Sequence, residues 1–172
     1  MSAAPMWFER KFEFTLPLEL YPNLCARLRG TPARLEELVR GRSHELMTKK
    51  IEGKWSAQEE AGHLFDLESL WMARVEDFVA GRTELTAADL TNRRTTEANH
   101  NARDVAEILG NFRAARLKLV GRAQQLDPAQ FARTILHPRL KQPMRLIDHL
   151  FFVAEHDDHH LARIWERVRR GD

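Results

Sequence analysis

The chain has one cysteine, Cys25, among 172 residues. No intrachain disulfide can therefore staple it, and its cysteine usage suits a reducing compartment. Long apolar runs are also missing. Nothing approaches the roughly 20 consecutive apolar residues of a membrane span, and no basic segment leads into an apolar core at the start. The expectation is a soluble, unexported, cytoplasmic protein with no membrane partner. An excess of charge of one sign is absent too. The 27 Lys and Arg face 25 Asp and Glu, and acids are interspersed with bases throughout, which argues against a nucleic-acid footprint. There is no internal repeat and no low-complexity tract.

What remains is an ordinary globular composition, 43% hydrophobic and 30% charged, in a length that fits one domain over residues 1–172. Residues 1–17 read as an N-terminal arm, because Trp7 to Phe14 is too mixed in pattern for a helix. Helical periodicity begins after Pro17. Leu20, Leu24 and Leu28 recur at four-residue steps, and Thr31-Pro32 predicts a helix restart with a kink near Gly30. Ser56 and Glu59 have the spacing of a capping box, so a second helix is expected from Ser56 to about Ala80, closed by Gly81. Thr83 to His100 reads as a long polar loop. Val105, Ile108, Leu109, Phe112, Leu117 and Val120 trace a third helix up to Leu126. Asp127-Pro128 breaks it, Thr134 to Pro138 is irregular, and Pro143 suits the first turn of a fourth helix running to about Arg170. Four long helices without strand alternation predict an all-α protein built as a four-helix bundle.

The chemistry concentrates in Glu155-His156-Asp157-Asp158-His159-His160. His156 and His160 stand four residues apart, so on a helix they share a face with Cβ atoms roughly 5–6 Å apart. Two imidazoles can then converge on one divalent ion, and His63 on the second helix is the candidate third ligand, because bundles build metal sites from facing helices. Three imidazoles leave a coordination position open for water or substrate, the mark of a catalytic site. Glu59, one turn before His63, is the expected supporting carboxylate, with Asp66 as another candidate. On spacing alone the alternative is a solvated helix face.

The other histidines read differently. His159 lies about 100° from its neighbour on the helix and is expected at the surface or behind the ligands. His149 shares the face of His156 and is expected to pack in the interior. His44, His100 and His137 fall in loops and are expected to be solvated or hydrogen-bonded. Trp55, Trp71 and Trp165 are expected in core or bundle-end packing, and Cys25 as a buried structural thiol.

Trp55-Ser56-x-x-Glu59-x-x-x-His63-Leu64-x-x-x-Glu68, followed far downstream by Glu155-His156-Asp157-Asp158-His159-His160-Leu161-Ala162-Arg163-Ile164, resembles the DinB-like superfamily of YfiT-like metal-dependent hydrolases. Leu136-His137-Pro138-Arg139-Leu140 and Pro143 to His149 resemble a subgroup of it, so the likeness runs from about Leu18 to Arg169. The resemblance implies an up-down-down-up bundle holding a divalent ion, zinc or nickel among others, on His63, His156 and His160. It also implies a small-molecule substrate. Relatives include thiol S-transferases that use low-molecular-weight thiols such as bacillithiol or mycothiol, and glutathione-dependent isomerases. The simplest enzymatic reading has the metal lower the pKa of a bound thiol or water, with Glu59 assisting. The competing reading is a non-catalytic bundle that binds metal or dimerises through an apolar face as a homodimer. His149 and the 83–100 segment are where this chain departs from better-known branches.

Overall fold

The computed structural model describes residues 5–169. Its helices are α1 (Tyr21–Val39), α2 (His44–Thr48), α3 (Ala57–Asp66), α4 (Glu68–Ala80), α5 (Arg93–Glu97), α6 (Val105–Gln124), α7 (Pro128–Phe131) and α8 (Leu146–Val168), with strands β1 (Thr134–Leu136) and β2 (Pro143–Arg145) forming one hairpin. Four long units make the bundle: α1, the nearly continuous α3 and α4, α6, and α8. Each of α1 and α3/α4 packs against both α6 and α8.

Side-chain pairs give the direction of each helix. Arg27 meets Glu155 and Arg34 meets Asp158, so α1 and α8 run parallel. Glu60 meets His160 while Trp71 lies beside His149, so α3/α4 runs against α8. Arg116 reaches Glu68 and Arg122 reaches Glu76, which sets α6 parallel to α3/α4. The order is up-down-down-up. Apolar faces fill the interior in two clusters, one around Leu28, Trp71, Phe78, Leu119 and Val153, the other around Leu35, Leu64, Phe112 and Ile164.

The expected restart at Pro32 does not occur, and α1 is a single helix through it. Proline removes the N–H that would bond the carbonyl four residues back. Here the Arg116 guanidinium donates to Leu28 O at 3.4 Å in its place. Arg116 is fully buried and also pairs with Glu68 at 2.6 Å and with Asp157, whose Oδ2 accepts from Thr31 at 2.9 Å. One guanidinium thus ties α1, α4, α6 and α8 together.

The segment around Pro143 also differs from expectation. Instead of opening α8, Pro143–Arg145 pairs antiparallel with Thr134–Leu136, and α8 begins at Leu146. Asp148 Oδ2 accepts from the Arg145 N–H at 3.0 Å and supplies the start signal. Residues 83–85 join this hairpin through Leu85 N–H to Leu136 O at 3.0 Å and Leu136 N–H to Thr83 O at 3.1 Å. The polar 83–100 segment is consequently anchored, and it contains α5. The arm from Pro5 forms a short 3-10 turn at Trp7–Glu9 and is otherwise extended. It lies over α8, with Trp7 and Phe12 against Phe152 and Arg10 paired to Glu155 at 2.5 Å.

Candidate metal centre

His63 comes from α3, capped at Ser56, and His156 and His160 from consecutive turns of α8. All three are buried, and one ring nitrogen from each lies within 4.8 Å of the others. His156 Nε2 and His160 Nε2 are 3.1 Å apart. Two ligands at tetrahedral angles about a zinc ion, each about 2.0–2.1 Å from it, stand roughly 3.3 Å apart, so this spacing fits a common ion.

The far side of each ring decides which nitrogen faces the centre. His160 Nδ1 lies 2.6 Å from Glu60 Oε2, so the Nδ1–H donates to the carboxylate and the Nε2 lone pair is left free. His63 Nδ1 lies 2.9 Å from Thr95 Oγ1, on α5. His156 Nδ1 is buried and has no hydrogen-bond partner. That ring is held by contact with Trp7 and Trp71, at centroid distances of 5.0 and 5.4 Å.

Burial sets the protonation states. Desolvation pushes His63 down to about 4, against the pull of Glu60 and Asp66. His156 and His160 are pushed well below their ordinary value by burial and by neighbouring imidazoles. All three rings are therefore neutral, the form that ligates metal. Burial raises the Glu60 carboxyl, while Arg163 at 2.7 Å and Arg167 at 3.2 Å oppose that rise.

The carboxylate that touches an imidazole of the group is Glu60, while Glu59, the expected one, is engaged elsewhere. Glu59 Oε2 accepts from the Ser56 N–H at 2.9 Å and Oε1 pairs with Lys50 at 2.8 Å. The capping box had already engaged that side chain, so the spacing that located the helix start also assigned Glu59 elsewhere. Asp66 contacts His100 Nε2 at 2.8 Å. Of the two states expected of it, solvated or hydrogen-bonded, His100 takes the second: it is fully buried, and it seats the 93–102 segment on α3. Its ring lies where a Cβ on Gly62 would come within 2.3 Å, and its carbonyl accepts from Gln58 Nε2 at 2.6 Å. Thr95 reaches His63 because of this anchoring.

Above the three imidazoles opens a cavity of about 290 Å³. Its apolar wall includes Trp7 and Phe8 from the arm, Leu67, Leu70 and Trp71 from the α3/α4 unit, and Phe152 from α8. Trp55 lines it as well, 4.7 Å from the His63 ring between centroids, rather than packing in the core. His159 is 7% exposed and lines the cavity, so it is not a surface group. It lies outside the three-histidine group. His137 is buried at the hairpin turn and also faces the cavity. His149 and Cys25 are buried as expected, whereas Trp165 is 49% exposed.

The sequence model of the DinB superfamily matches residues 27–164. The chain belongs to the DinB superfamily. Among solved structures it is similar to YfiT from Bacillus subtilis, described as a probable metal-dependent hydrolase with an unusual four-helix bundle topology. The TM-score is 0.81 at 22% identity, covering 95% of this chain and 94% of that one. At this identity the likeness concerns the fold. Among curated proteins none matches this chain. In this DinB-superfamily chain the histidine motifs that are far apart in sequence lie side by side.

Proposed function

We propose that His63, His156 and His160 hold one divalent ion, zinc or nickel, and that the protein is a cytoplasmic metal-dependent enzyme of the hydrolase or thiol S-transferase class. The observation that carries this reading is the convergence of three buried, neutral imidazoles on the floor of a cavity large enough for a small molecule. A structural zinc site closes its coordination with four protein ligands. Here three donors face open space, which supports a site that exchanges water or substrate. The description of YfiT as a probable metal-dependent hydrolase supports the same class.

When bound, the ion supplies Lewis acidity, lowering the pKa of a thiol or water. The chain's own residues supply the rest. Glu60 accepts from the His160 Nδ1–H and so fixes that ring's tautomer, and the Thr95 hydroxyl orients the His63 ring. Trp7, Trp55 and Trp71 exclude bulk water from the floor and offer apolar surface to the substrate. His159, pushed down to about 4 mainly by burial, is a neutral base at physiological pH. It lines the cavity beside the centre, positioned to accept a proton from the substrate's nucleophilic atom.

The test is a turnover screen on metal-loaded protein. Zinc- and nickel-loaded samples are offered low-molecular-weight thiols with an electrophile such as a bimane or chlorodinitrobenzene, and separately a panel of nitrophenyl esters. Turnover that vanishes on chelation and returns with metal supports the enzyme. Metal uptake without turnover in any panel would favour a metal-storing or sensing bundle instead.

A further inference from the structure

One wall of the cavity is rich in hydrogen-bond donors, and the acid that lines the cavity, Asp89, pairs with none of them: its carboxylate accepts from the Thr91 N–H and hydroxyl at 2.9 and 2.6 Å and from the Arg93 N–H at 2.9 Å. Arg74, His137 and Arg139 line it, and among the described residues neither guanidinium forms an ion pair. The acid that Arg74 feels is Asp77, whose carboxylate already accepts from the Thr86 N–H at 2.6 Å and pairs with Arg82 at 3.2 Å. Arg163, also on the cavity wall, is neutralised by Glu60 at 2.7 Å. Arg74 is held in place by Nε donating to Thr86 O at 2.9 Å and by the face of Trp71. Arg139 lies between the Phe8 and Phe152 rings, 5.2 and 5.9 Å from their centroids, and its Nη2 is buried with no hydrogen-bond partner.

His137 completes the group. Its Nδ1 accepts from two backbone N–H groups, those of Arg139 at 3.2 Å and Leu140 at 3.1 Å. In the neutral ring the proton therefore sits on Nε2, which faces Arg74 Nη1 at 3.2 Å. Two donors thus stand 3.2 Å apart with no acceptor between them. Burying such donors is costly unless something accepts from them.

We propose that Arg74, His137 and Arg139 form an anion subsite and that the substrate carries a carboxylate there, joined by a short apolar spacer to the group that reaches the three imidazoles. A carboxylate is planar and accepts forked N–H donors from guanidinium groups. The spacer length follows from α8. The His137 ring packs on Phe152, 5.2 Å between centroids, and Phe152 stands four residues, about 6 Å of helix rise, before His156. Trp7 touches both Phe152 and His156, at 5.0 Å each, so an aromatic or short aliphatic body fits between the two polar ends. The inference rests on the reading of this cavity as the substrate site, but the subsite is made of protein groups and needs no metal.

Trp7, Trp55 and Trp71 line the cavity, so intrinsic fluorescence reports its occupancy. The full chain, metal-free and zinc-loaded, is titrated with 3-phenylpropionate, with its neutral amide and with a phenylalkyl phosphate. The carboxylate is expected to bind about tenfold or more tighter than the amide in both forms, a charge-assisted gain of ordinary size. Arg139→Met should erase that gap while retaining wild-type helix content and zinc uptake, and Arg139→Lys should keep part of it. Equal binding of acid and amide by the wild type would overturn the proposal, as would a gap that survives Arg139→Met. A gap present only with zinc would place the carboxylate on the metal and overturn it likewise, and tighter binding of the phosphate would replace the carboxylate class. Absence of zinc uptake with the acid preference intact would remove the metal reading and leave the subsite standing.

Discussion

Glu60 and Glu59 are adjacent in sequence and have opposite assignments. Glu60 orients His160, whereas Glu59 caps α3. Removing a carboxylate that orients a ligating imidazole costs about 10–100-fold in metal affinity. Glu60→Gln is therefore expected to weaken zinc binding by that factor, and Glu59→Gln to change it by less than about threefold while lowering stability by about 1 kcal/mol through the cap. Competition with a chromophoric chelator and a urea melt check both. His159→Ala should leave zinc affinity within a small factor, since His159 is outside the three-histidine group, and should instead reduce any turnover. At this scale the sequence was informative where chemistry is periodic. The i,i+4 spacing put His156 and His160 together, and the capping box, taken to its end, would have freed Glu60 for the site. Thr95, His100 and Arg139 were not legible, because nothing in a polar loop sequence says which side chains turn inward.

Among the elements, the 93–102 segment has the clearest consequence for the site. It is held by His100 against Gly62 and delivers Thr95 to His63. Gly62→Ala places a methyl group where the His100 ring sits, and overpacking of this kind costs about 1–3 kcal/mol. The expected outcome is a lower midpoint in thermal or urea unfolding together with weaker zinc binding. An unchanged midpoint would mean that the segment is not packed as described. The long helices were readable from apolar periodicity because each buries one stripe. The hairpin was not, since three-residue strands carry too little alternation to register, and Pro143 fits an edge strand as well as a first helical turn. The continuity of α1 was hidden for another reason. The donor that replaces the missing proline N–H comes from Arg116, 88 residues from the Leu28 carbonyl it reaches.

For the whole molecule, buried charge and buried histidine govern stability. Arg116 faces Glu68 and Asp157 with no exposure, and leaving a buried charge unpaired costs about 3–5 kcal/mol. Arg116→Met strands two carboxylates and is expected to lose stability in that range, read from urea unfolding. The pH response follows from His137 and His149, both pushed down to about 3, chiefly by burial. In the unfolded chain these rings take up protons near pH 6.5, whereas the folded chain does so only near 3. Stability is thus present above about 6.5 and falls with pH from there toward 3, by about 1.4 kcal/mol per unit for a fully buried ring. Glu68, pushed up to about 7 by burial, acts in the opposite direction between about 4.5 and 7. Imidazoles outnumber it, so metal-free protein should be less stable at pH 5.5 than at 7.5. His149→Leu, at a site walled by Trp71 and Phe78, should flatten the slope. A flat pH profile in the wild type would contradict the neutral, buried state of these rings.

Whether three imidazoles from two helices form one metal centre is decided by cobalt(II) uptake. Cobalt reports ligand geometry through its visible absorption, and the expected result is one ion per chain with intense bands of low coordination number and no thiolate charge-transfer band, since Cys25 is buried outside the group. His63→Ala, His156→Ala and His160→Ala should each abolish the signal while helix content survives. Equal loss from His63, nearly a hundred residues before the α8 pair, would show that the two motifs make a single site. A wild-type spectrum that persists unchanged in all three variants, or no uptake by the wild type, would contradict it.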